Sequence, residues 1–414
     1  MAYLKEIDFF NCFIIKDDQN RFHIEESRIK GDFNGKSVDY GVRAHLTDED
    51  YREEQRENTL IYSGVYNSKT GVNNLNQFPV DKPITLSVDV QQGSIQKLFA
   101  EDQRLNIFQE EKVRYVKIDK DFIYTAEGLP LSTKSDLFLG DIISYGTNYG
   151  IGKNPESFAY YAGRKYFVDK PKGAVLRLSR DGITEISNYG MRTYFRDNLS
   201  DANEIHLAWD IYDKSLALTA IRPSDSFTVA FDESVNGWTS FYSYIPDGFS
   251  GSLDGKFYTF HQTNIYEHYS NDLQNRFYGM DYESSVDFIF NEQPSVSKNF
   301  LTINYEGSDT WNITITDPDD ASEFAGVLTD TDKSQPIAEF DLLNQDLIIS
   351  AFKKIHNKYY SNIFNKNESA ASEVVFGSDV SGVKGFFAKM KIKTSSTEYK
   401  ELFSVSTNYN VNSY

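Results

Sequence analysis

The chain has 414 residues, a length that predicts two or three domains, each large enough to bury its own core. Its 42 Lys and Arg residues are outnumbered by 61 Asp and Glu residues, which gives a formal net charge of −19. Because affinity for polyanions comes mainly from Lys and Arg, this charge argues against a protein that grips DNA, RNA or an anionic membrane. The single cysteine, Cys12, excludes an internal disulfide framework and a cysteine-rich zinc site.

The composition predicts a globular protein rich in β-strands. Hydrophobic residues make up 40% of the chain and charged residues 25%, which is typical of a folded protein. The 31 Phe, 28 Tyr and 3 Trp residues favour strands, where aromatic rings pack well on a pleated surface. No stretch approaches the roughly 18 consecutive apolar residues of a membrane helix, and the first residues are not typical of a signal peptide. We therefore expect an all-β protein without a membrane span or an export signal.

Residues 1–60 are predicted to be an N-terminal segment distinct from the domains that follow. Within this segment, Thr47 can cap a polar helix that runs to Glu57. Few apolar residues lie on that helix, so it has little surface to bury against a core.

Patterns typical of a hairpin and a short helix lie in the middle of the chain. Asp181-Gly182 separates the strand patterns of residues 174–180 and 183–186, and this dipeptide is typical of a two-residue hairpin turn. One short helix is then predicted from apolar residues that recur at the spacing of a helical face. These residues are Met191, Tyr194, Phe195 and Leu199.

Four consecutive strand patterns predict an antiparallel four-stranded unit. They span residues 205–209, 216–221, 227–231 and 238–244. A second such unit is expected over residues 250–290, with Asp254-Gly255 as a hairpin turn. Since a β-propeller is built from repeated four-stranded units, residues 61–295 are predicted to form a propeller-like domain. The chain has no clean sequence repeat, so this prediction rests on the spacing of the strands.

The last part of the chain predicts a second β domain, a β-sandwich over residues 296–414. Apolar and polar residues alternate over residues 301–305 and 311–315, as in strands with one buried face, and a Gly307–Asp309 loop joins them. Two more strands are predicted over residues 385–393 and 401–406. Residues 343–355 fit either a helical face or a buried strand, and a strand is favoured.

Two glycine-rich stretches resemble catalytic motifs without completing them. Residues 146–154 lack both the first glycine of a phosphate-binding loop and the Ser or Thr after its lysine, so tight turns are favoured there. Ser250 has a glycine on each side of it, but not at the two spacings that a nucleophile elbow requires.

The remaining chemistry-bearing residues do not form a recognised site. Of six histidines, only His261 and His268 are close in sequence, and their spacing suits no common zinc motif. The stretch from Ser252 to Gly255 is similar to a sialidase Asp box but lacks one residue, so a hairpin turn is favoured. A solvated loop is favoured over a calcium site at residues 317–320. The sequence thus nominates no catalytic, cofactor-binding or metal-ligating residue.

Several long runs of residues together resemble a known family. They include residues 91–99, 149–157, 163–169, 173–183, 187–191, 231–241 and 294–307. This set is similar to the tail hub or muzzle structural proteins of crAss-like and related short-tailed phages of gut Bacteroidetes. The resemblance covers residues 60–414, and members of that family are longer at the N-terminus. It therefore implies that Met1 begins a shortened or split version, with residues 1–60 as the part outside the resemblance.

The resemblance implies a structural virion protein without catalytic residues or cofactors. Such a protein would form a homo-oligomeric ring around the DNA exit channel and contact other tail and portal-proximal proteins. It would be made in the host cytoplasm, reside in the virion tail, and let DNA pass without binding it specifically. Contact with the host surface is a further expectation.

Two other functions remain open from the sequence. One is a tail-associated enzyme that cleaves glycans, which should show convergent carboxylates with raised pKa values in a cleft. The other is a receptor-binding module for a host surface glycan, which should show an exposed aromatic platform.

Overall fold

The computed structural model describes residues 12–16, 22–26, 55–118, 123–124, 130–131, 139–316, 326–328, 352–363 and 383–412, except 65, 67–70, 72, 79–83 and 224. Most elements are antiparallel strands, so the prediction of an all-β protein is confirmed. Residues 47–54 of the predicted helix after Thr47, the acidic loop at residues 317–320 and residues 343–351 lie outside the described residues, and residues 55–57 are not helical. The chain divides into two compact units, Met1–Ile265 and Tyr266–Tyr414.

The first unit contains short strands in a nearly sequential arrangement. In chain order they are β1 (Cys12–Lys16), β2 (Phe22–Glu26), β3 (Thr59–Ile61), β4 (Thr85–Ser87), β5 (Ile95–Glu101), β6 (Arg104–Gln109), β7 (Val113–Ile118), β8 (Ile123–Tyr124), β9 (Pro130–Leu131), β10 (Leu139–Ser144), β11 (Phe158–Tyr161), β12 (Arg164–Asp169), β13 (Ala174–Ser179), β14 (Gly182–Glu185), β15 (Glu204–Asp210), β16 (Ser215–Ile221), β17 (Phe227–Asp232), β18 (Gly237–Tyr242), β19 (Ser250–Leu253) and β20 (Lys256–His261). The next strand, β21 (Asn264–Glu267), begins in this unit and ends two residues after Ile265. Val90–Gln92 and Ile186–Asn188 form 3-10 turns, and α1 spans Arg192–Leu199.

These strands form small sheets in chain order. Three four-stranded sheets have the orders β10-β7-β6-β5, β11-β12-β13-β14 and β15-β16-β17-β18. The last of these is the unit predicted over residues 205–244, which is confirmed. The second unit expected over residues 250–290 is not formed as predicted, because β19, β20 and β21 make a three-stranded sheet. Leu253 pairs with Lys256, so Asp254-Gly255 is a hairpin turn as expected.

Aromatic rings join adjacent sheets of the first unit. The Trp209 ring on β15 stacks on Tyr161 and Tyr166 of the preceding sheet, with centroids 4.3 and 5.7 Å apart. The predicted short helix is present as α1, and Phe195 and Leu199 are fully buried in the same apolar cluster. Burial of this aromatic and aliphatic surface is the main favourable contribution to folding in this part of the unit.

The predicted hairpin at Asp181-Gly182 is present, but its turn lies one residue earlier than expected. Ser179 pairs with Gly182, so Arg180 and Asp181 are the two turn residues. Asp181 keeps a negative φ and its carboxylate accepts a hydrogen bond from the Ser179 hydroxyl, whereas Gly182 has a φ of 108°. A type I′ turn needs positive φ at both central residues, so that turn type is excluded here. The glycine takes the left-handed conformation instead of the aspartate.

We expect Gly182→Val to lower the free energy of unfolding by about 1 kcal/mol or more, because β-branched residues resist positive φ. Nothing lies within 4 Å of the position that a Cβ would take, so the cost is conformational and not steric. Gly251→Val is the matched control, since Gly251 lies in β19, also has open space, and has no positive φ. Urea unfolding that gives equal stability for the two variants would contradict this account of the turn.

The second unit contains two larger sheets. Its strands are β22 (Arg276–Phe277), β23 (Met280–Asp281), β24 (Ser284–Phe290), β25 (Lys298–Gly307), β26 (Asn312–Thr316), β27 (Gly326–Leu328), β28 (Lys353–Ile355), β29 (Lys358–Asn362), β30 (Val383–Gly385), β31 (Ala388–Thr394) and β32 (Leu402–Val411). One sheet has the order β24-β31-β26-β27. The other has the order β28-β29-β25-β30, and β32 pairs with β25 on the side opposite to β29.

Side chains from both of these sheets meet in one apolar core. Tyr305 on β25 stacks on Tyr359 of β29, and the buried Ile313 and Met390 of the other sheet belong to the same cluster. The predicted strands around Gly307 are therefore present, but β25 and β26 lie in different sheets and do not pair. The strands predicted over residues 385–393 and 401–406 are also present.

Candidate interaction surfaces

Charged side chains inside the first unit hold two sheets together. The Glu233 carboxylate, in the turn after β17, accepts hydrogen bonds from the Tyr166 hydroxyl at 2.7 Å and from Arg177 at 2.7 Å. Arg164 lies 3.5 Å from the same carboxylate. Burial raises the pKa of the Tyr166 hydroxyl, and Glu233 raises it further, so this group stays a neutral donor. The network joins the two sheets, because Tyr166 and Arg177 lie in one of them and Glu233 follows a strand of the other.

The glycine-rich stretch that resembles a phosphate loop is also structural. It connects β10 to β11 and lies on the turn between β6 and β7, where Ile151 N donates to Gln109 O at 3.0 Å. Gly150 N donates to the buried carboxylate of Asp169 at 3.1 Å. Lys172 Nζ lies 2.9 Å from the same carboxylate oxygen. The Gly150 amide thus donates to a side chain of the protein itself. This agrees with the prediction that the glycines of this stretch form tight turns.

Two of the described histidines, His206 and His261, lie beside carboxylates. His206 Nε2 lies 3.2 Å from Glu204 Oε2, and His261 Nδ1 lies 3.2 Å from Asp247 Oδ2. Over the described ranges, no three His, Cys, Asp or Glu side chains come together in a group that could hold a metal ion. His261 and His268, although close in sequence, therefore do not belong to a group of this kind among the described residues.

His268 is the described histidine whose protonation is most strongly affected by its surroundings. Its ring lies 6.1 to 6.4 Å from the rings of Tyr269, Phe277 and Tyr278, and burial lowers its pKa from 6.5 to about 4. The unfolded chain therefore binds a proton near pH 6.5 that the folded chain binds only near pH 4. Stability contributed by the neutral ring is present above pH 6.5 and is lost as the pH falls toward 4.

We expect the free energy of unfolding of the second unit to fall by up to roughly 3 kcal/mol from this group between pH 7 and pH 4. His268→Phe removes the titrating ring and keeps an aromatic side chain at the site. Urea unfolding at several pH values should give a shallower decline for the variant than for the native chain. Equal slopes over this range would contradict the effect assigned to His268.

The edges of the larger sheet in the second unit differ sharply. On one edge, β28 has three residues, two of them lysines, and all three are exposed. On the other edge, β32 has ten residues, Leu402–Val411, and none is charged or proline. Short, charged strands protect a sheet edge from pairing with another chain, and long uncharged strands do not. In the part of the chain that the structure describes, β32 pairs only with β25.

A groove of about 260 Å³ lies beside this open edge. The end of β24 lines one side of it, and Val405, Thr407 and Tyr409 of β32 line the other. Loss of hydration raises the pKa of the Tyr409 hydroxyl, as does its hydrogen bond to Glu292 across the groove. The edge strands of the two sheets thus lie on the same side of the second unit.

A row of lysines lies on the other sheet. Lys389, Lys391 and Lys393 alternate along β31 with buried residues and therefore face outward. Lys393 Nζ lies 3.1 Å from Glu283 Oε1, and Asp287 on β24 is paired in register with Lys391. These carboxylates offset part of the positive charge. We therefore expect the row to bind a polyanion more weakly than three isolated lysines would.

Comparison with known proteins gives two similarities. Residues 273–366 match a family model described as the Crassvirus muzzle protein C-terminal domain. The chain is also 22% identical over 246 residues to a protein named Muzzle protein from Bacteroides phage crAss001. That match covers 55% of this chain and 17% of the relative, so the chain spans a small part of the relative's length. Among the described residues, no helix has the length and apolar character needed to cross a membrane. The resemblance predicted from the sequence is confirmed: this chain is similar to the muzzle proteins of crAss-like phages.

Proposed function

We propose that this chain is a non-enzymatic structural protein of a phage tail, in the hub or muzzle that surrounds the DNA exit channel. The observation that carries the proposal is the similarity to muzzle proteins, which includes most of the region that forms the second unit. The hydrogen bonds that buried carboxylates make within the first unit support it. Asp169 and Glu233, which could otherwise serve as catalytic carboxylates, are occupied by hydrogen bonds within the first unit.

The finer architecture is part of the same proposal. Successive antiparallel sheets in chain order support a propeller-like arrangement for the first unit, and two sheets around one core support a β-sandwich for the second. The chain divides after Ile265 in the structure. The domain boundaries predicted from the sequence differ from this division and stay predictions: they give residues 1–60, 61–295 and 296–414. Limited proteolysis that yields stable fragments at one of these boundaries would decide between them.

We propose that the copies form a ring through head-to-tail contacts, with other tail and portal-proximal proteins as partners. Head-to-tail contacts close into a ring when the rotation between neighbours divides a full turn. The charge of −19 makes copies repel one another, so apolar or locally paired contacts must offset the repulsion. An acidic ring suits a channel through which DNA passes unbound, because phosphates meet few lysines and arginines there.

Sedimentation of the purified chain at two salt concentrations tests the ring. Screening of like charges should strengthen assembly as salt is raised toward 0.15 M, where the Debye length is about 8 Å. A DNA-binding protein would respond in the opposite way, with contacts to phosphate weakening steeply in salt. Electron microscopy of the same samples should show rings. A chain that stays monomeric in both salts, with no rings on electron microscopy grids, would contradict self-assembly into a ring.

The enzymatic alternative is tested by incubating the chain with host capsule polysaccharide. We expect no release of reducing sugar. Release that is abolished by replacing one pair of carboxylates would overturn the proposal and establish a glycan-cleaving enzyme.

A further inference from the structure

The hairpin formed by β28 and β29 carries a cluster of basic residues. Three of the six residues 353–358 are lysines, in a chain that has 42 Lys and Arg residues in 414. Ile355 pairs with Lys358, so His356 and Asn357 are the two turn residues, and both have positive φ. Positive φ at both central residues is typical of a type I′ turn, whose twist matches that of the two strands. The hairpin therefore presents its lysines on a well-defined turn.

The side chains of the hairpin are divided between the two faces of the sheet. Lys353 pairs with Tyr360 and Ile355 pairs with Lys358, and directly opposed residues have their side chains on the same face. Tyr359, which alternates with these residues, is buried on the other face. Ile355 is 50% exposed and Tyr360 is 37% exposed, so apolar surface lies between the two lysines. We call these four side chains, Lys353, Ile355, Lys358 and Tyr360, the basic face.

The positive charge of this hairpin is only partly offset. Lys358 Nζ lies 3.7 Å from Glu306 Oε2 on the neighbouring strand β25. Among the described residues, no carboxylate oxygen lies within 4.0 Å of the Lys353 or Lys354 ammonium group. Lys354 Nζ lies 5.2 Å from the centre of the Tyr359 ring, at the edge of the sheet. The hairpin is thus a locally positive surface in a chain whose net charge is −19.

We propose that the basic face binds an acidic segment of a partner protein, in which carboxylates alternate with apolar side chains. The carboxylates contact Lys353 and Lys358, and an apolar side chain between them packs on Ile355 and Tyr360. Complementary charge gives such a contact its specificity and a faster association, and burial of apolar surface adds affinity. The inference does not rest on a role in the phage tail, since it concerns binding by the purified chain.

The distribution of charge favours a short acidic segment over DNA or a second copy. DNA is charged along its whole length, so beyond the hairpin its phosphates would meet the excess of acidic residues on this chain. Its phosphate backbone also offers no apolar group to Ile355. A second copy carries −19 of its own and is repelled in the same way. A short segment keeps its charges beside the lysines, and repulsion from groups farther away than a Debye length, about 8 Å at 0.15 M salt, is largely screened.

Fluorescence anisotropy with a short labelled peptide of alternating Glu and Val tests the proposal. We expect saturable binding that weakens as salt is raised toward about 0.15 M. K353E combined with K354E reverses the charge of the hairpin and should raise the dissociation constant by roughly tenfold or more. K389E combined with K391E is the matched control, because these exposed lysines of β31 lie in the same unit and undergo the same change in net charge. The control should raise the dissociation constant by no more than about twofold.

A peptide of alternating Glu and Ser separates charge from apolar contact. It has the same charge without apolar groups, and we expect it to bind several-fold more weakly than the Glu and Val peptide. I355S should reduce the difference between the two peptides. Ile355 and both pairs of lysines are exposed, so the fold should tolerate these changes, which circular dichroism would verify.

Four results would overturn the proposal. The first is the absence of peptide binding at low salt, and the second is an equal loss in the two double lysine variants, which would show a response to net charge alone. The third is a DNA duplex that binds more tightly than the Glu and Val peptide and is released by K353E/K354E. The fourth is self-association of the native chain that K353E/K354E abolishes in sedimentation equilibrium, which would make a second copy the occupant.

Discussion

Replacing Gly150 with alanine is expected to lower the free energy of unfolding of the first unit by about 2–4 kcal/mol. A Cβ at this position would lie 2.5 Å from Glu111 N and would overlap the Glu110 carbonyl group. These are backbone atoms, so they can make room only if the turn between β6 and β7 moves. Such a movement would break the bonds from Gly150 N to Asp169 and from Ile151 N to Gln109 O.

Gly146→Ala is the matched control, because it lies in the same connection with nothing within 4 Å of the added Cβ. We expect it to change stability by no more than about 0.5 kcal/mol. Thermal and urea unfolding of both variants would compare the sites directly. Equal stability of the two variants would mean that the close approach at Gly150 can relax without cost.

Replacing Glu233 with alanine is expected to destabilise the first unit by about 3–5 kcal/mol, because it leaves a buried cation without its partner. The Glu233 and Arg177 side chains are only 12% and 14% exposed, so water can replace little of the lost interaction. The Tyr166 hydroxyl also loses its acceptor. We expect Glu233→Gln to be milder, since the amide oxygen can still accept from Tyr166.

Lys153→Ala provides the comparison for an exposed ion pair in the same unit. Lys153 is 77% exposed and its Nζ lies 4.0 Å from Glu110 Oε2. Exposed pairs of this kind contribute roughly 0–1 kcal/mol. If urea unfolding gave similar losses for Glu233→Ala and Lys153→Ala, the Glu233 network would be solvated in solution and would not clamp the sheets.

Local pattern was sufficient to predict the hairpins and the helix of the first unit. The strands of the β15–β18 sheet are sequential neighbours joined by short turns, so alternation and turn residues define them. Helix α1 was predictable because Phe195 and Leu199 lie on one face at helical spacing. The turn at Asp181 was displaced by one residue because a side-chain hydrogen bond from Ser179, which no dipeptide preference includes, holds the aspartate in place.

The local pattern of apolar and polar residues could not predict which strands pair when they are distant in sequence. β24 looked like part of the propeller-like region, but it pairs with β31 in the second unit. β25 and β26 follow each other closely and still belong to different sheets. Alternation tells which face of a strand is buried, but it does not tell which strand lies beside it.

The edge strand β32 has a feature in its sequence that motif searches do not detect. The last strand was predicted over residues 401–406, whereas β32 runs from Leu402 to Val411. A ten-residue run without charge is conspicuous in a chain that is 25% charged. That run could have identified the open edge, but only the topology shows that β32 lies at the end of its sheet.

Gold labelling of intact phage particles tests the central proposal, a structural role in the tail, most directly. Antibodies against this chain, applied to purified virions of the phage that encodes it, should place gold particles at the tail, beyond the capsid vertex that carries it. Labelling should persist after the particles are washed in high salt, because a structural component is retained. Gold confined to the capsid, or a chain found only in the lysate and absent from purified particles, would contradict the account.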